Sequence, residues 1–360
     1  MDETTFRVLD ALSADLGSPV SIKKLTDKVR KLHKTAYYKN IYDKIQELER
    51  KGIIKLERIG KSSITTLNFD NFSLPDLLTQ TEIRKKQNLL ENRTELQLLL
   101  LEMGTLFKQE FCLINSISIV DPVRTIPLNR AEFLFILKEA KKLSSKGMEQ
   151  FIRNEILNIH LTMRRLQKTH NIKLDCLILS ENEFFELLRE RRYNPVKCML
   201  SSQIAFFSPQ NYWTGLKEAI IGGIKIELAE EINPVKISEQ DLVYNLSRFG
   251  YKEIGPGIKQ GKELCLECTI VSILIRGDAR RIEAVTILLA KNRPRYNVLL
   301  FLCGKYGKLE KLLGLLKASN RIVKNEEREN AIKILEKLET KEEKADEKAI
   351  RQKMRLYHAV

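Results

Sequence analysis

No apolar stretch of this sequence approaches the roughly 20 residues that a membrane-spanning helix needs. The run from Ile220 to Leu228 is interrupted by Gly222, Gly223 and Lys225. The start, Met1-Asp2-Glu3, is acidic and lacks the basic and apolar segments of a secretory signal. A cytoplasmic protein with no membrane partner is therefore expected. Cysteine is sparse and scattered, at positions 112, 176, 198, 265, 268 and 303, mostly inside apolar runs such as Phe111-Cys112-Leu113. That pattern fits buried, reduced thiols and excludes the disulfide framework of a small secreted domain. One Cys-x-x-Cys, Cys265 and Cys268, has no second pair, and none of the histidines at 33, 160, 170 and 358 lies near it. A structural zinc site thus lacks its other ligands, and two core thiols in a helix or buried strand over 263–275 are expected. The glycines at 222–223 and 255–257 read as turns, with neither spacing that cradles a phosphate. No Ser-His-Asp or Cys-His arrangement has local support, and no repeat or low-complexity tract is present. No cofactor and no metal are expected.

What the chain does have is length, charge and pattern. Its 360 residues allow two or three domains, each with its own core. Apolar residues make up 43% and charged ones 30%, which argues against disorder throughout. The formal net charge of +15 attracts polyanions, of which nucleic acid is the commonest inside a cell. A generically basic protein without such a partner is the competing explanation.

The first 75 residues carry the clearest pattern. Phe6, Val8, Leu9, Leu12 and Leu16 make a one-sided helix that Gly17 ends. Ser18-Pro19-Val20 is a short extended link, and Ser21 caps a second helix with Ile22, Leu25, Val29 and Leu32 on one face. Thr35 is the expected cap of a third, in which Ile41, Ile45 and Leu48 share a side and Gly52 provides the stop. Two strand-like runs, 53–59 and 64–69, flank Gly60-Lys61-Ser62-Ser63, which predicts a β-hairpin.

Three helices and a hairpin in this order, with Leu48-Glu49-Arg50-Lys51-Gly52-Ile53-Ile54 at the join, resemble a winged helix-turn-helix over about a fifth of the chain. The resemblance implies that the third helix enters the major groove of double-stranded DNA. With Ile41 facing the core, Lys39, Asp43, Gln46 and Arg50 point away from it, and Asn40 and Tyr42 lie on the flanks. Lys suits guanine and Asn or Gln suits adenine, so Lys39, Asn40 and Gln46 are the base-reading candidates. Lys34, Tyr38, Arg58 and Lys61 suit phosphates, from the helix entrance and the wing. From Lys23 to Lys61 there are thirteen Lys/Arg against five Asp/Glu. A protein–protein module with a solvated charged helix is the alternative, and Asp43, Glu47 and Glu49 speak for it.

Residues 76–108 read as one connector helix with a broad stripe from Ile83 to Leu106, either a seam for a homodimer or a helix packed on its own chain. Residues 109–232 alternate apolar runs with helical ones, with strands expected over 114–120, 131–137, 172–179 and 204–207. This segment resembles the minimal nucleotidyltransferase fold that commonly follows a winged helix in archaeal proteins, most recognisably from Asp175 to Trp213. The resemblance implies a Gly-Ser turn, an Asp-x-Asp pair and a third acid, which together hold two metal ions. Here those positions read Asp121-Pro122, Arg130-Ala131-Glu132 and Asp175, which predicts a catalytically dead domain. Residues 233–320 read as a helical domain and 321–360 as a charged, solvated helix.

The fold class expected is therefore α+β and multidomain: an N-terminal winged helix-turn-helix, a central mixed α/β nucleotidyltransferase-like domain and a C-terminal helical domain. The function expected is DNA binding for transcriptional regulation without catalysis. An active nucleotidyltransferase, or a non-catalytic subunit of a repair, replication or toxin–antitoxin system, are the rival readings.

Overall fold

The structure, a computed structural model, describes residues 1–60, 62–120, 129–139, 145–227, 232–252, 258 and 260–359. The chain is mixed α+β with two small sheets, and its contacts gather into two units. The first comprises Met1–Glu139, Leu179–Arg191 and Val196–Glu230; the second comprises Ala140–Ile178, Arg192–Pro195 and Glu231–Val360. The division runs through the segment 109–232.

The first unit opens with α1 (Glu3–Ser13), capped by Asp2, whose carboxylate accepts from the Thr5 N–H at 2.9 Å. Gly17 follows with φ +79°, and a Cβ there would lie 2.4 Å from the carbonyl oxygen of Ile226. Both its backbone angle and its neighbour demand glycine. The link after it does more than connect: β1 (Val20–Ser21) pairs antiparallel with the hairpin's second strand. Ser21 then caps α2 (Ile22–His33) by accepting from the Lys24 N–H, as its sequence position predicts.

Helix α3 (Tyr38–Arg50) buries Ile41, Ile45 and Leu48, but its cap is not Thr35. Thr35 is occupied elsewhere, accepting from Arg7 Nη1 through its carbonyl at 3.1 Å and its hydroxyl at 3.2 Å. The helix starts after Tyr37, with no side-chain cap. The strands β2 (Ile54–Ile59) and β3 (Ser62–Leu67) form the predicted hairpin, in register from Ile54↔Leu67 to Ile59↔Ser62. With β1 they make a three-stranded sheet in the order β1-β3-β2.

The expected single connector is two helices, α4 (Leu74–Asn92) and α5 (Glu95–Glu110). The break falls at Arg93, whose φ of −134° and ψ of +68° leave the helical region. Its side chain is buried and its Nε pairs with the Glu95 carboxylate, so a local charge pair turns the chain where no glycine or proline does. A cut after residue 75 would fall in the first turn of α4, which also packs on α1 and places Arg84 over the Phe6 ring.

Strands β4 (Ile114–Val120) and β5 (Arg130–Leu137) pair antiparallel, with Ile117↔Phe135 and Ile119↔Phe133 in register. A strand β6 (Lys173–Ser180) ends in the first unit, where Ser180 and Glu183 form a capping box on α7 (Glu181–Arg189). The long helix α6 (Ser145–His170) belongs to the second unit. After α8 (Pro195–Met199), β7 (Gln203–Phe207) pairs with β4 and lies at an end of its sheet. Its free side is closed by α4: Glu82 Oε2 accepts from the Ala205 N–H at 2.7 Å, and Lys85 Nζ donates to the Gln203 carbonyl at 3.1 Å. Helix α9 (Pro209–Ile221) packs along α4 and completes this unit's core.

The second unit is mainly helical: α10 (Glu239–Arg248), α11 (Leu266–Arg276), α12 (Ala279–Lys291), α13 (Tyr296–Lys305), α14 (Leu309–Ile322), α15 (Glu326–Lys337) and α16 (Glu347–Leu356). Cys265 caps α11, its sulfur accepting from the Cys268 N–H at 3.4 Å, so the Cys-x-x-Cys segment is a helix start with two buried thiols. Residues 321–360 form two helices rather than one. Each buries an apolar face, Ala331, Ile334 and Leu335 on α15 and Ile350 and Met354 on α16. The segment between them crosses Gly314 so closely that a Cβ there would lie 1.8 Å from the Glu343 carbonyl oxygen. Arg328 is buried among these helices and donates to the carbonyls of Val323 and Leu289. It thereby satisfies backbone acceptors of α12 and at the end of α14 that would otherwise be orphaned.

Candidate nucleic-acid interface

The spacing of α3 divides it into two faces. Ile41, Ile45 and Leu48 enter the core, while Lys39, Asn40, Asp43 and Arg50 are exposed and Gln46 is half-buried. Lys39, Asp43, Gln46 and Arg50 follow one another at steps of four, three and four, so they share the outer face. Tyr38 and Tyr42, 52% and 40% exposed, flank this face with their rings stacked at 6.2 Å. Lys34 ends α2 in a positive-φ conformation, φ +64°, with its side chain in solvent. Arg58 is exposed on β2, and Lys61 lies outside the described residues.

The basic residues of this region fall into two sets. Lys28 pairs with Asp15, Arg30 with Asp27, Lys44 with Asp2 and Glu47, Lys51 with Glu47, and Lys55 with Asp70. Burial works against the ionised Asp2 carboxyl, yet hydrogen bonds from Thr5 and the Lys44 ammonium hold it far below the ordinary carboxylate range. Lys44 and Lys51 likewise lower the Glu47 carboxyl, and Lys55 lowers that of Asp70. These cations are already partnered. Lys23, Lys24, Lys31, Lys34, Lys39, Arg50 and Arg58 are exposed and form no ion pair among the described residues. Arg50 donates to the Gln46 carbonyl at 3.3 Å.

The charge excess counted in the sequence is therefore spread over both ends of α2, the outer face of α3 and the outer hairpin strand. Such a surface can accept the phosphates of a nucleic acid, and its Lys, Asn and Gln can hydrogen-bond base edges. Exposed on the same region, and not singled out by the sequence, are Lys23, Lys24, Lys31 and Tyr37. Tyr37 is 73% exposed because the helix begins one residue after it. Only knowing which acids pair with which bases would have separated the free cations from the partnered ones.

Of the residues expected to form a degenerate metal site, Arg130 and Glu132 lie on β5 and Asp175 on β6. Asp121 and Pro122 lie outside the described residues. Glu132 is buried in β5, and its Oε1 lies 3.7 Å from Arg130 Nε. Glu132 belongs to the first unit and Asp175 to the second. Among the described residues, no three His, Cys, Asp or Glu side chains are grouped to hold a metal ion.

The second unit contains a cavity of about 250 Å³ whose lining includes His160, Cys176, Arg164 and Asp175. The Cys176 sulfur lies 3.5 Å from His160 Nδ1. Burial pushes the imidazole down to about 4, and burial together with Asp175 pushes the thiol up to about 12. The pair is therefore a thiol beside a neutral imidazole at neutral pH, without the thiolate that an activated cysteine nucleophile needs. Among the described residues, no helix is long and apolar enough to cross a membrane. No model of a known protein family, no curated protein and no solved structure matches this chain.

Proposed function

We propose that this protein binds double-stranded DNA through α3 and the hairpin after it, in the manner of a winged helix-turn-helix, and acts as a transcriptional regulator. One observation carries the reading: cations with no acidic partner among the described residues are gathered on the exposed face of α3 and its flanks, while neighbouring lysines are neutralised by acids of the same chain. In this reading Lys39, Asn40 and Gln46 meet base edges. Lys34, Tyr38, Arg58 and Lys61 meet the backbone, with Tyr42 and Arg50 at the margin of the contact. The part that resembles a nucleotidyltransferase serves sensing or assembly without chemistry, since Arg130 beside Glu132 offsets the charge a cation would need.

The test is fluorescence anisotropy of the full chain with duplex DNA over a salt series. About five phosphate contacts give a slope of roughly −4.5 for log K against log salt. A slope near zero, or no binding at low salt, removes the reading.

A further inference from the structure

The thiol–imidazole pair of the second unit stands on the wall of its cavity. Helix α6 turns His160, Met163, Arg164 and Gln167 toward that cavity, at the spacing of a single helical face. Strand β6 adds Cys176, and both Cys176 and Met163 are buried. The 3.5 Å between Cys176 Sγ and His160 Nδ1 is a hydrogen-bond separation for sulfur. It is also the separation of two donors on one metal ion. Bonds of about 2.3 Å to sulfur and about 2.0 Å to imidazole nitrogen, opened by about 110°, set the donors about 3.5 Å apart.

Donor chemistry and charge decide which ion. Among the described residues, His, Cys, Asp and Glu supply no third ligand here, so zinc lacks its set. The acid in the lining, Asp175, has Lys173 Nζ at 3.9 Å, and Arg164 is paired with Glu339. What the wall does add is the thioether of Met163, about one turn from His160 on the same face. Its unbranched chain is flexible enough to follow an ion held by the other two. Thiolate, thioether and imidazole together suit copper(I). Burial favours the same ion, because a net charge without a partner is costly away from water. Copper(I) replaces the Cys176 proton: the S–H bond breaks, an S–Cu bond forms, the proton leaves to solvent and the site stays neutral. A divalent ion in the same exchange would leave one positive charge buried.

We propose that Cys176, His160 and Met163 form a binding site for copper(I), approached through the cavity. The exchange involves no oxidation or reduction, and it does not depend on DNA binding.

Titration of the full, reduced chain with copper(I) under argon, against bathocuproine disulfonate as competing chelator, tests the proposal. The chain has six cysteines, so variants must assign the ion. Expected is an equivalent of copper(I) that Cys176→Ser removes and that Cys112→Ser and Cys265→Ser leave in place. In weakly buffered solution at neutral pH, that equivalent should release one proton. Met163→Leu separates ligation from folding. It conserves volume and apolar character, so the thermal midpoint without metal should hold while copper(I) affinity falls about tenfold. A chain that takes no copper(I) from the chelator overturns the proposal. So does binding that survives Cys176→Ser, or an affinity that Met163→Leu leaves unchanged.

Discussion

Replacing Glu82 tests how the first unit closes the open side of β7. The Glu82 carboxylate is buried, accepts from the Ala205 N–H at 2.7 Å and lies 2.9 Å from Lys85 Nζ. Glu82→Ala leaves the Ala205 N–H without an acceptor, which costs about 1–3 kcal/mol. It also strips Lys85 of its nearest counter-charge, and breaking a buried pair costs about 3–5 kcal/mol. Lys85 keeps the Gln203 carbonyl and has Asp10 at 3.8 Å, so the combined loss should fall near the lower end, at about 3–4 kcal/mol. Glu82→Gln keeps an acceptor for Ala205 and should lose about half as much.

The pH dependence of this site has a definite sign. Burial raises the Glu82 carboxyl above its ordinary value of 4.5, against the pull of Lys85 and the Ala205 N–H, with Asp10 adding to the rise. The folded state therefore binds a proton more tightly than the unfolded state. The stability contributed by Glu82 is fully present below the unfolded value and declines as pH rises through the folded one. Urea denaturation of wild type, Glu82→Ala and Glu82→Gln from acidic to neutral pH reads both effects. The advantage of wild type over Glu82→Gln should shrink as pH rises. A Glu82→Ala loss below about 1 kcal/mol at neutral pH would refute the reasoning, since that is the scale of an ordinary surface change.

If α3 reads DNA as proposed, Lys39→Ala or Asn40→Ala should reduce discrimination between a selected duplex and a scrambled one by about 1–3 kcal/mol, read by competition anisotropy. Arg58→Ala should instead weaken all duplexes alike and flatten the salt slope by about one. Gly17→Ala must place a Cβ against the Ile226 carbonyl with φ at +79°, and should lower stability by about 2–4 kcal/mol in equilibrium unfolding. Labelled nucleotides offered with magnesium or manganese and nucleic-acid or protein acceptors should not be incorporated. Incorporation abolished by Glu132→Ala would reverse that expectation.

The three N-terminal helices, the hairpin and the strands of the middle segment were legible because each is written in short-range spacing. Ile41, Ile45 and Leu48 mark one helix face whatever surrounds them, and Ser21 caps a helix through its own neighbours. What escaped depends on distant partners. Thr35 has the chemistry of a cap, but Arg7 of another helix claims it, so α3 begins later and exposes Tyr37. Arg93 has ordinary helical propensity, yet burying its guanidinium beside Glu95 ends α4 without a breaker residue. The proposed interface was legible as a basic region. Its division into partnered and unpartnered cations required knowing that Asp2 reaches Lys44 and Asp70 reaches Lys55.

The two faces of α3 have separate physical duties, and that separation has an evolutionary consequence. Ile41, Ile45 and Leu48 hold the helix in the core, while Lys39, Asn40 and Asp43 are exposed on its outer side. Exchanges on the outer face should therefore shift stability by only about 0.5 kcal/mol either way. Selection can rewrite that face residue by residue without first acquiring compensating changes inside. A lineage carrying this fold could change what α3 presents to solvent while the scaffold beneath it stays as it is.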